Sequence, residues 1–177
     1  NLECRNCYIE SSPKNDRLVY LTLADVLPFL EEIERDGWPV REIGFTGGEP
    51  FMAPEFLPIL AETLARGYEA LVLTNAMRPM MKVADGLLAL QEQYSARLTI
   101  RVSLDHYAQE PHEQVRGPRS WEPAMEGLRW LAAYGFRMSI AGRTFWPEGE
   151  QAVREGFTRL IEAEGWPIDP ANPAELV

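Results

Sequence analysis

The stretch Val40-Arg41-Glu42-Ile43-Gly44-Phe45-Thr46-Gly47-Gly48-Glu49-Pro50 decides the fold. Val40 to Phe45 is short, rich in β-formers and ends in glycines, so it reads as a buried strand with a polar turn at its carboxyl end. Ahead of it, Leu23, Val26, Leu27, Leu30 and Ile33 recur at helical spacing, with Gly37 as a stop. Thr22 followed by Asp25 has the form of a capping start, while Pro28 moves the regular part of that helix later. Behind it, Pro54 opens a second helix in its first turn, with Leu57, Leu60 and Leu64 on one face and Gly67 at its end.

The same alternation continues. Ala70 to Thr74 is a second strand, and a helix covers about Met80 to Tyr94 with Val83, Leu87 and Leu90 inward. Arg97 to Leu104 is a third strand. Ser120 caps a helix carrying Met125, Leu128 and Leu131, closed by Gly135. Phe136 to Gly142 is a fourth strand, and a last helix runs from about Gly149 to Glu164 with Val153, Phe157, Leu160 and Ile161 inward. Repeated strand–helix units predict an α/β fold with a parallel sheet and outer helices, either an open sheet or a piece of a (β/α) barrel. No linker divides the chain.

Polar residues gather where strands end: Thr46 to Pro50, Thr74-Asn75, Ser103 with Asp105, and Arg143-Thr144. Parallel α/β folds place their ligands on that edge. The 177 residues carry a net charge of −10 and no lysine- or arginine-rich stripe, which argues against a nucleic-acid partner. No apolar run reaches the roughly 18 residues of a membrane span. Two cysteines are no disulfide framework, and a Cys-x-x-Cys in such a chain points to metal or redox chemistry in a reducing compartment, the cytoplasm.

Those cysteines are Cys4 and Cys7, in Asn1-Leu2-Glu3-Cys4-Arg5-Asn6-Cys7-Tyr8. The two-residue gap lets both thiolates reach one metal centre. A zinc site needs a second ligand pair, and His106 and His112 form no spaced knuckle. These histidines read as surface or substrate-side residues. A thioredoxin-like pair should open a helix, and Tyr8 to Pro13 starts one poorly. A cysteine-held iron–sulfur cluster is the third reading.

Here the sequence resembles the radical S-adenosylmethionine superfamily, whose first hallmark is Cys-x3-Cys-x2-Cys, commonly Cys-Asn-Leu-x-Cys-x-x-Cys-Tyr. Asn1 to Tyr8 match that string from its second residue, with Asn6 where an aromatic residue or histidine is usual beside the adenine. Gly47-Gly48-Glu49-Pro50 matches the second hallmark. Two glycines admit close backbone approach, and a carboxylate with free carbonyls can accept from an ammonium group.

The resemblance implies the following. Cys4 and Cys7 are metal ligands of a [4Fe-4S] cluster, and the fourth iron is left for S-adenosyl-L-methionine. Gly47, Gly48, Glu49 and Pro50 hold the methionine amino group, and Thr74-Asn75 forms a strand-end segment with Ala76 where glycine is common. Ser103 and Asp105 reach the ribose hydroxyls, and Arg143 lies near the methionine carboxylate or else makes a surface salt bridge. The segment His112 to Gly117, with Arg116, is loosely similar to one in peptide-modifying members.

The implied fold is a partial (β/α)6 barrel truncated to about four strands, because the family's first strand precedes the cysteine loop and its last follows Glu164. Residues 1–177 then form a radical S-adenosylmethionine core domain, a fragment lacking the first cysteine, and the 177 residues alone should bind the cluster poorly. The implied reaction is reductive cleavage to a 5′-deoxyadenosyl radical that abstracts hydrogen from a small molecule or a peptide, with an electron donor such as flavodoxin or ferredoxin.

A non-catalytic or redox-active parallel α/β binding module, with an incidental Cys-x-x-Cys, remains the alternative. An ordinary barrel lyase or aldolase would need a strand-end lysine or metal-binding carboxylates, and Lys14 and Lys82 are not so placed.

Overall fold

The computed structural model describes residues 2–4, 7, 9–12, 14, 15 and 19–177. Helix α1 (Leu23–Arg35) starts where the capping pattern marks it. The Thr22 side chain accepts from the Asp25 amide, and the Asp25 carboxylate accepts from the Thr22 amide at 2.8 Å. Pro28 therefore does not delay the helix as the sequence suggested. It lies inside α1 and removes one hydrogen bond, and the capping box holds the turn before it.

Strand β1 (Glu42–Phe45) is followed by a 3-10 turn, Pro50–Met52, and by α2 (Phe56–Ala65). Pro54 stands in the turn ahead of α2 rather than within it. Pro58 occupies the first turn instead, where a missing N–H costs nothing. Strand β2 (Glu69–Thr74) leads to two helices, α3 (Arg78–Met81) and α4 (Ala84–Tyr94), where periodicity suggested one. Pro79 starts α3 early, and Val83 leaves helical backbone so that α4 restarts with Leu87 and Leu90 inward.

Strand β3 (Leu98–Ser103), helices α5 (Gln109–Arg116) and α6 (Trp121–Ala133), strand β4 (Arg137–Ala141) and helix α7 (Glu150–Glu164) complete the order. Helix α5 was hidden from the pattern because Val115 is its one aliphatic residue; its buried face is His112, Val115 and Arg116. Ser120 precedes α6 but does not cap it. Its hydroxyl donates to the Gly117 carbonyl instead, at 2.7 Å.

The strands form one parallel sheet in the order β1-β2-β3-β4, as expected of a barrel piece cut to four strands. Register separates two faces. Val72, Ile100 and Met138 share a row, as do Val102 and Ile140, and all five are at most 3% exposed beneath the helices. Each such side chain stabilises the fold by roughly 1.5–3 kcal/mol. The opposite face carries Leu73, Arg101, Ser103 and Ser139, a mixed surface.

Beyond β4, Leu176 makes a parallel bridge to Ile140, and the Val177 amide donates to the Ile140 carbonyl at 3.0 Å. The final residues thus begin a fifth line of pairing after Glu164, where the sequence reading found none. The reason is a partner distant in sequence: Leu176 is 3% exposed and gains a buried place beside Ile140 of β4.

Candidate functional site

The turn after β1 is built from its glycines. Gly47 has φ +139°, a backbone that side chains strain to adopt. Gly48 lies against the side chain of Ser11: a Cβ there would meet Ser11 Oγ and come within 3.1 Å of Ser11 Cβ. Ser11 follows the cysteines, and its amide donates to Cys7 Sγ at 3.3 Å. The two sequence hallmarks therefore touch through Ser11, a residue the motif reading did not single out.

Glu49 is 5% exposed. Its Oε1 accepts from the Thr74 hydroxyl at 2.7 Å and from the Phe51 amide at 3.4 Å, and its Oε2 accepts from the Asn75 amide at 2.9 Å. Burial raises the Glu49 carboxyl above its ordinary value, with the Asn75, Thr74 and Phe51 donors opposing. The side chain clamps the end of β1 to the end of β2 and fixes the Gly47–Gly48 backbone beside it. Pro50 starts the 3-10 turn that continues from it.

At the end of β2, Thr74 Oγ1 accepts from the Ala76 amide at 3.0 Å and Asn75 Oδ1 accepts from the Met77 amide at 3.0 Å. Ala76 has φ +56°, the left-handed conformation that explains why glycine suits this position. A cavity of about 690 Å³ opens beside Gly47–Pro50, between the segment after the cysteines, α1 and α2. That volume lies in the range of roughly 300–1,000 Å³ common to small-molecule sites.

A second group forms at the ends of β3 and β4. Asp105 is 1% exposed. Arg116 grips it with two bonds, Nε to Oδ2 at 2.9 Å and an outer nitrogen to Oδ1 at 3.0 Å. Arg143 Nε stands 3.1 Å from the same Oδ1, and the Arg143 amide donates to the Asp105 carbonyl at 3.0 Å. Arg143 also lies over the Phe145 ring and keeps 31% of its side chain exposed. So Arg143 is in a salt bridge, to a buried carboxylate rather than to a surface one. Three N–H groups thus occupy the Asp105 carboxylate, which keeps one acceptor position on Oδ2. Ser103 is half-buried on the mixed face of the sheet.

Cys4 and Cys7 are part-buried in one turn, with the Cys7 amide donating to the Cys4 carbonyl at 3.2 Å. Burial pushes the Cys4 thiol up; Arg116 pulls it down, Asp105 and Cys7 push it up, and Arg143 pulls it down. The cysteine turn thus stands between the two groups, meeting the glycine turn through Ser11 and the arginine group through Cys4. Two thiols in one turn, an amide donor on one sulfur and guanidinium charge near the other fit part of a cluster's ligand set. Among the described residues no three His, Cys, Asp or Glu side chains gather into a metal site. Asn1, Arg5, Asn6 and Tyr8, which complete the cysteine string, lie outside the described residues.

The histidines depart from the sequence reading. His106 is 1% exposed and His112 is fully buried, so neither is a surface residue. His106 Nδ1 accepts from the Ala108 amide at 2.9 Å, its ring stacks on Tyr107, and Nε2 lies 3.5 Å from Glu148 Oε2. His112 packs edge-on against Trp121, and neither of its ring nitrogens has a hydrogen-bond partner among the described residues. Desolvation, with Arg116 adding to it, lowers the His112 pKa to about 4.

A sheet of parallel strands with its polar groups at the carboxyl edge, a Cys-x-x-Cys turn and a Gly-Gly-Glu-Pro turn in contact define a radical S-adenosylmethionine core. The Radical SAM superfamily model matches residues 1–155, and the chain belongs to that superfamily of enzymes. It is similar to mycofactocin maturase MftC of Mycobacterium tuberculosis, at 30% identity over 136 residues, which is 77% of this chain and 32% of that protein.

It is also similar to the antilisterial bacteriocin subtilosin biosynthesis protein AlbA of Bacillus subtilis, at 28% identity over 82% of this chain and 31% of that protein. The chain thus spans about a third of the length of these relatives. Among solved structures, Streptococcus suis SuiB superposes with a TM-score of 0.70 at 14% identity, over 94% of this chain and 35% of that one, which shows a shared fold. SuiB has also been solved bound to S-adenosylmethionine and bound to its precursor peptide SuiA. No helix among the described residues is long and apolar enough to cross a membrane.

Proposed function

We propose that this chain is the core of an enzyme that reductively cleaves S-adenosyl-L-methionine and uses the product to abstract hydrogen from a peptide. The observation that carries the reading is the contact of the two motif turns, Cys7 to Ser11 to Gly48. When bound, a [4Fe-4S] cluster supplies the single electron that cleaves the sulfonium to methionine and a 5′-deoxyadenosyl radical. Cys4 and Cys7 supply two of its thiolates. An electron donor of the flavodoxin or ferredoxin kind, in a reducing cytoplasm, would provide that electron.

The other residues place the cosubstrate. The bare Gly47–Gly48 backbone offers carbonyls to the methionine ammonium, while Glu49 holds that backbone rigid from below and Pro50 fixes its exit. Thr74 and Asn75 shape the adjoining wall. Ser103 offers its hydroxyl to the ribose from the end of β3. Arg143 offers guanidinium N–H groups to the methionine carboxylate, a charge-assisted contact. Asp105 serves this arrangement from beneath through its arginines. The peptide class of substrate is supported by the likeness to a mycofactocin maturase and a subtilosin biosynthesis protein, and by the fold shared with a protein solved with its precursor peptide.

The test is electron spin resonance on the anaerobically reconstituted, reduced protein at its full encoded length. A signal of a reduced cubane that shifts on adding S-adenosylmethionine is expected. A loaded cluster whose spectrum ignores S-adenosylmethionine would count against the reading.

A further inference from the structure

The Asp105 group contains more charge than a salt bridge needs. A buried carboxylate with one arginine in two-point contact is already neutralised and geometrically complete. Here a second arginine, Arg143, reaches the same Oδ1 from another strand end by its Nε at 3.1 Å. The two arginines are not equivalent. Arg116 is 9% exposed and comes from the last turn of α5, where Val115 and His112 are buried with it. Arg143 is 31% exposed and comes from the loop after β4.

A carboxylate has two edges that a guanidinium fork can use, and a planar fork prefers both oxygens at once. If Arg116 were absent, Asp105 would be a buried charge with one arginine beside it. The cost of an incompletely paired buried charge would pull Arg143 down into the two-point position. Its guanidinium would then turn inward, away from the solvent side.

We propose that Arg116 is a positioning residue: by holding both oxygens of Asp105, it keeps Arg143 in a one-point contact and leaves the rest of that guanidinium for the carboxylate of bound S-adenosylmethionine. The inference rests on the function proposed above and goes beyond it, since Arg116 and Asp105 act only through Arg143. His112, one turn earlier on α5, is part of the packing that fixes where Arg116 enters.

The experiment is equilibrium binding to the anaerobically reconstituted protein at its full encoded length, with two probes: S-adenosylmethionine and its decarboxylated analogue, which lacks the group Arg143 would hold. Arg116→Met should weaken S-adenosylmethionine by about tenfold or more while leaving the analogue within about twofold, the size of one lost charged hydrogen bond. The double variant Asp105→Asn/Arg116→Met removes the carboxylate that would capture Arg143 and should return S-adenosylmethionine to within about threefold of the wild type, because no unpaired buried charge remains.

Should Arg116→Met fail to fold, Arg116→Lys takes its place, since an ammonium cannot grip both carboxylate oxygens as the planar fork does: a selective loss of S-adenosylmethionine upholds the inference, and no loss, or an equal loss of both probes, overturns it. An Arg116→Met protein that binds S-adenosylmethionine like the wild type overturns it, as does one that loses both probes equally. A wild type that binds neither probe overturns the proposed function, and this inference with it.

Discussion

Gly127→Ala makes the most exposed wager on the architecture around the site. Gly127 is a buried residue of α6. In an exposed helix interior, replacing glycine by alanine should stabilise by about 1 kcal/mol. Here a Cβ would stand 1.8 Å from the Ala76 carbonyl oxygen, 2.8 Å from its carbon and 2.9 Å from its Cβ. The oxygen and carbon are backbone atoms of the turn that follows Thr74 and Asn75, already held at φ +56°, and the Cβ is fixed by that backbone, so none can rotate away.

Overpacking of this kind costs about 1–3 kcal/mol, and backbone as the obstacle argues for the upper end. Subtracting the propensity gain leaves about 2 kcal/mol of destabilisation. For a domain of this size the melting temperature should fall by about 4–8 °C. Gly86→Ala is the control. Its Cβ would lie 2.6 Å from Leu57 Cδ1, the end of a flexible side chain, so its net effect should be near zero. Thermal and urea unfolding of both variants give the comparison. A Gly127→Ala protein as stable as Gly86→Ala, or more stable than wild type, would refute the close approach of α6 to the end of β2.

Further outcomes follow from the same geometry. Glu49→Ala orphans the Thr74 hydroxyl and the Asn75 amide and should cost about 2–5 kcal/mol in urea unfolding, whereas Glu49→Gln can accept from Asn75 and donate to Thr74 and should cost clearly less; a Glu49→Ala loss under about 1 kcal/mol would show that this side chain is not the clamp. Because burial raises the Glu49 pKa above 4.5, its stabilising share is complete below 4.5 and is lost as pH rises through the raised value. The gap between Glu49→Gln and wild type should therefore move in favour of the variant over that rise. His112 works the other way: with its pKa lowered from 6.5 to about 4, stability present above 6.5 is lost as pH falls towards 4. That loss amounts to about 3 kcal/mol, and His112→Leu should flatten that part of the stability profile. Asp105→Ala leaves Arg116 with no carboxylate partner in a buried place and should cost about 3–5 kcal/mol, measured by the same unfolding.

Much of this was legible from residue order. The strands at Val40–Phe45, Ala70–Thr74, Arg97–Leu104 and Phe136–Gly142 appear within a residue or two, because short apolar runs on a parallel sheet carry a strong local signal. The strand-end clusters were readable for the same reason, since each follows its strand directly. The first strand was expected to be buried and is not: β1 pairs with β2 alone among the described strands, its Glu42 and Gly44 are exposed, and Ile43 and Phe45 are half-buried. What failed was governed by partners distant in sequence. Helix α5 buries a histidine and an arginine, and its polar stripe acquires meaning only when Asp105 arrives from β3. The inward positions of His106 and His112 depend on Tyr107, Trp146 and Trp121 closing around them. Pro28 misled because its local backbone cost was given more weight than the Thr22–Asp25 capping start, which holds the turn before it. Gly48 was read as room for a ligand, and the structure shows that it is also room for Ser11.

The central claim is that the joined cysteine and glycine turns serve cleavage of S-adenosylmethionine. Its most direct test is quantification of 5′-deoxyadenosine from the reconstituted, chemically reduced protein at its full encoded length, beside Cys4→Ala and Cys7→Ala. Product is expected from the wild type and none above background from either variant. A fully loaded, reduced wild type that forms no 5′-deoxyadenosine, or variants that form as much as it does, would contradict it.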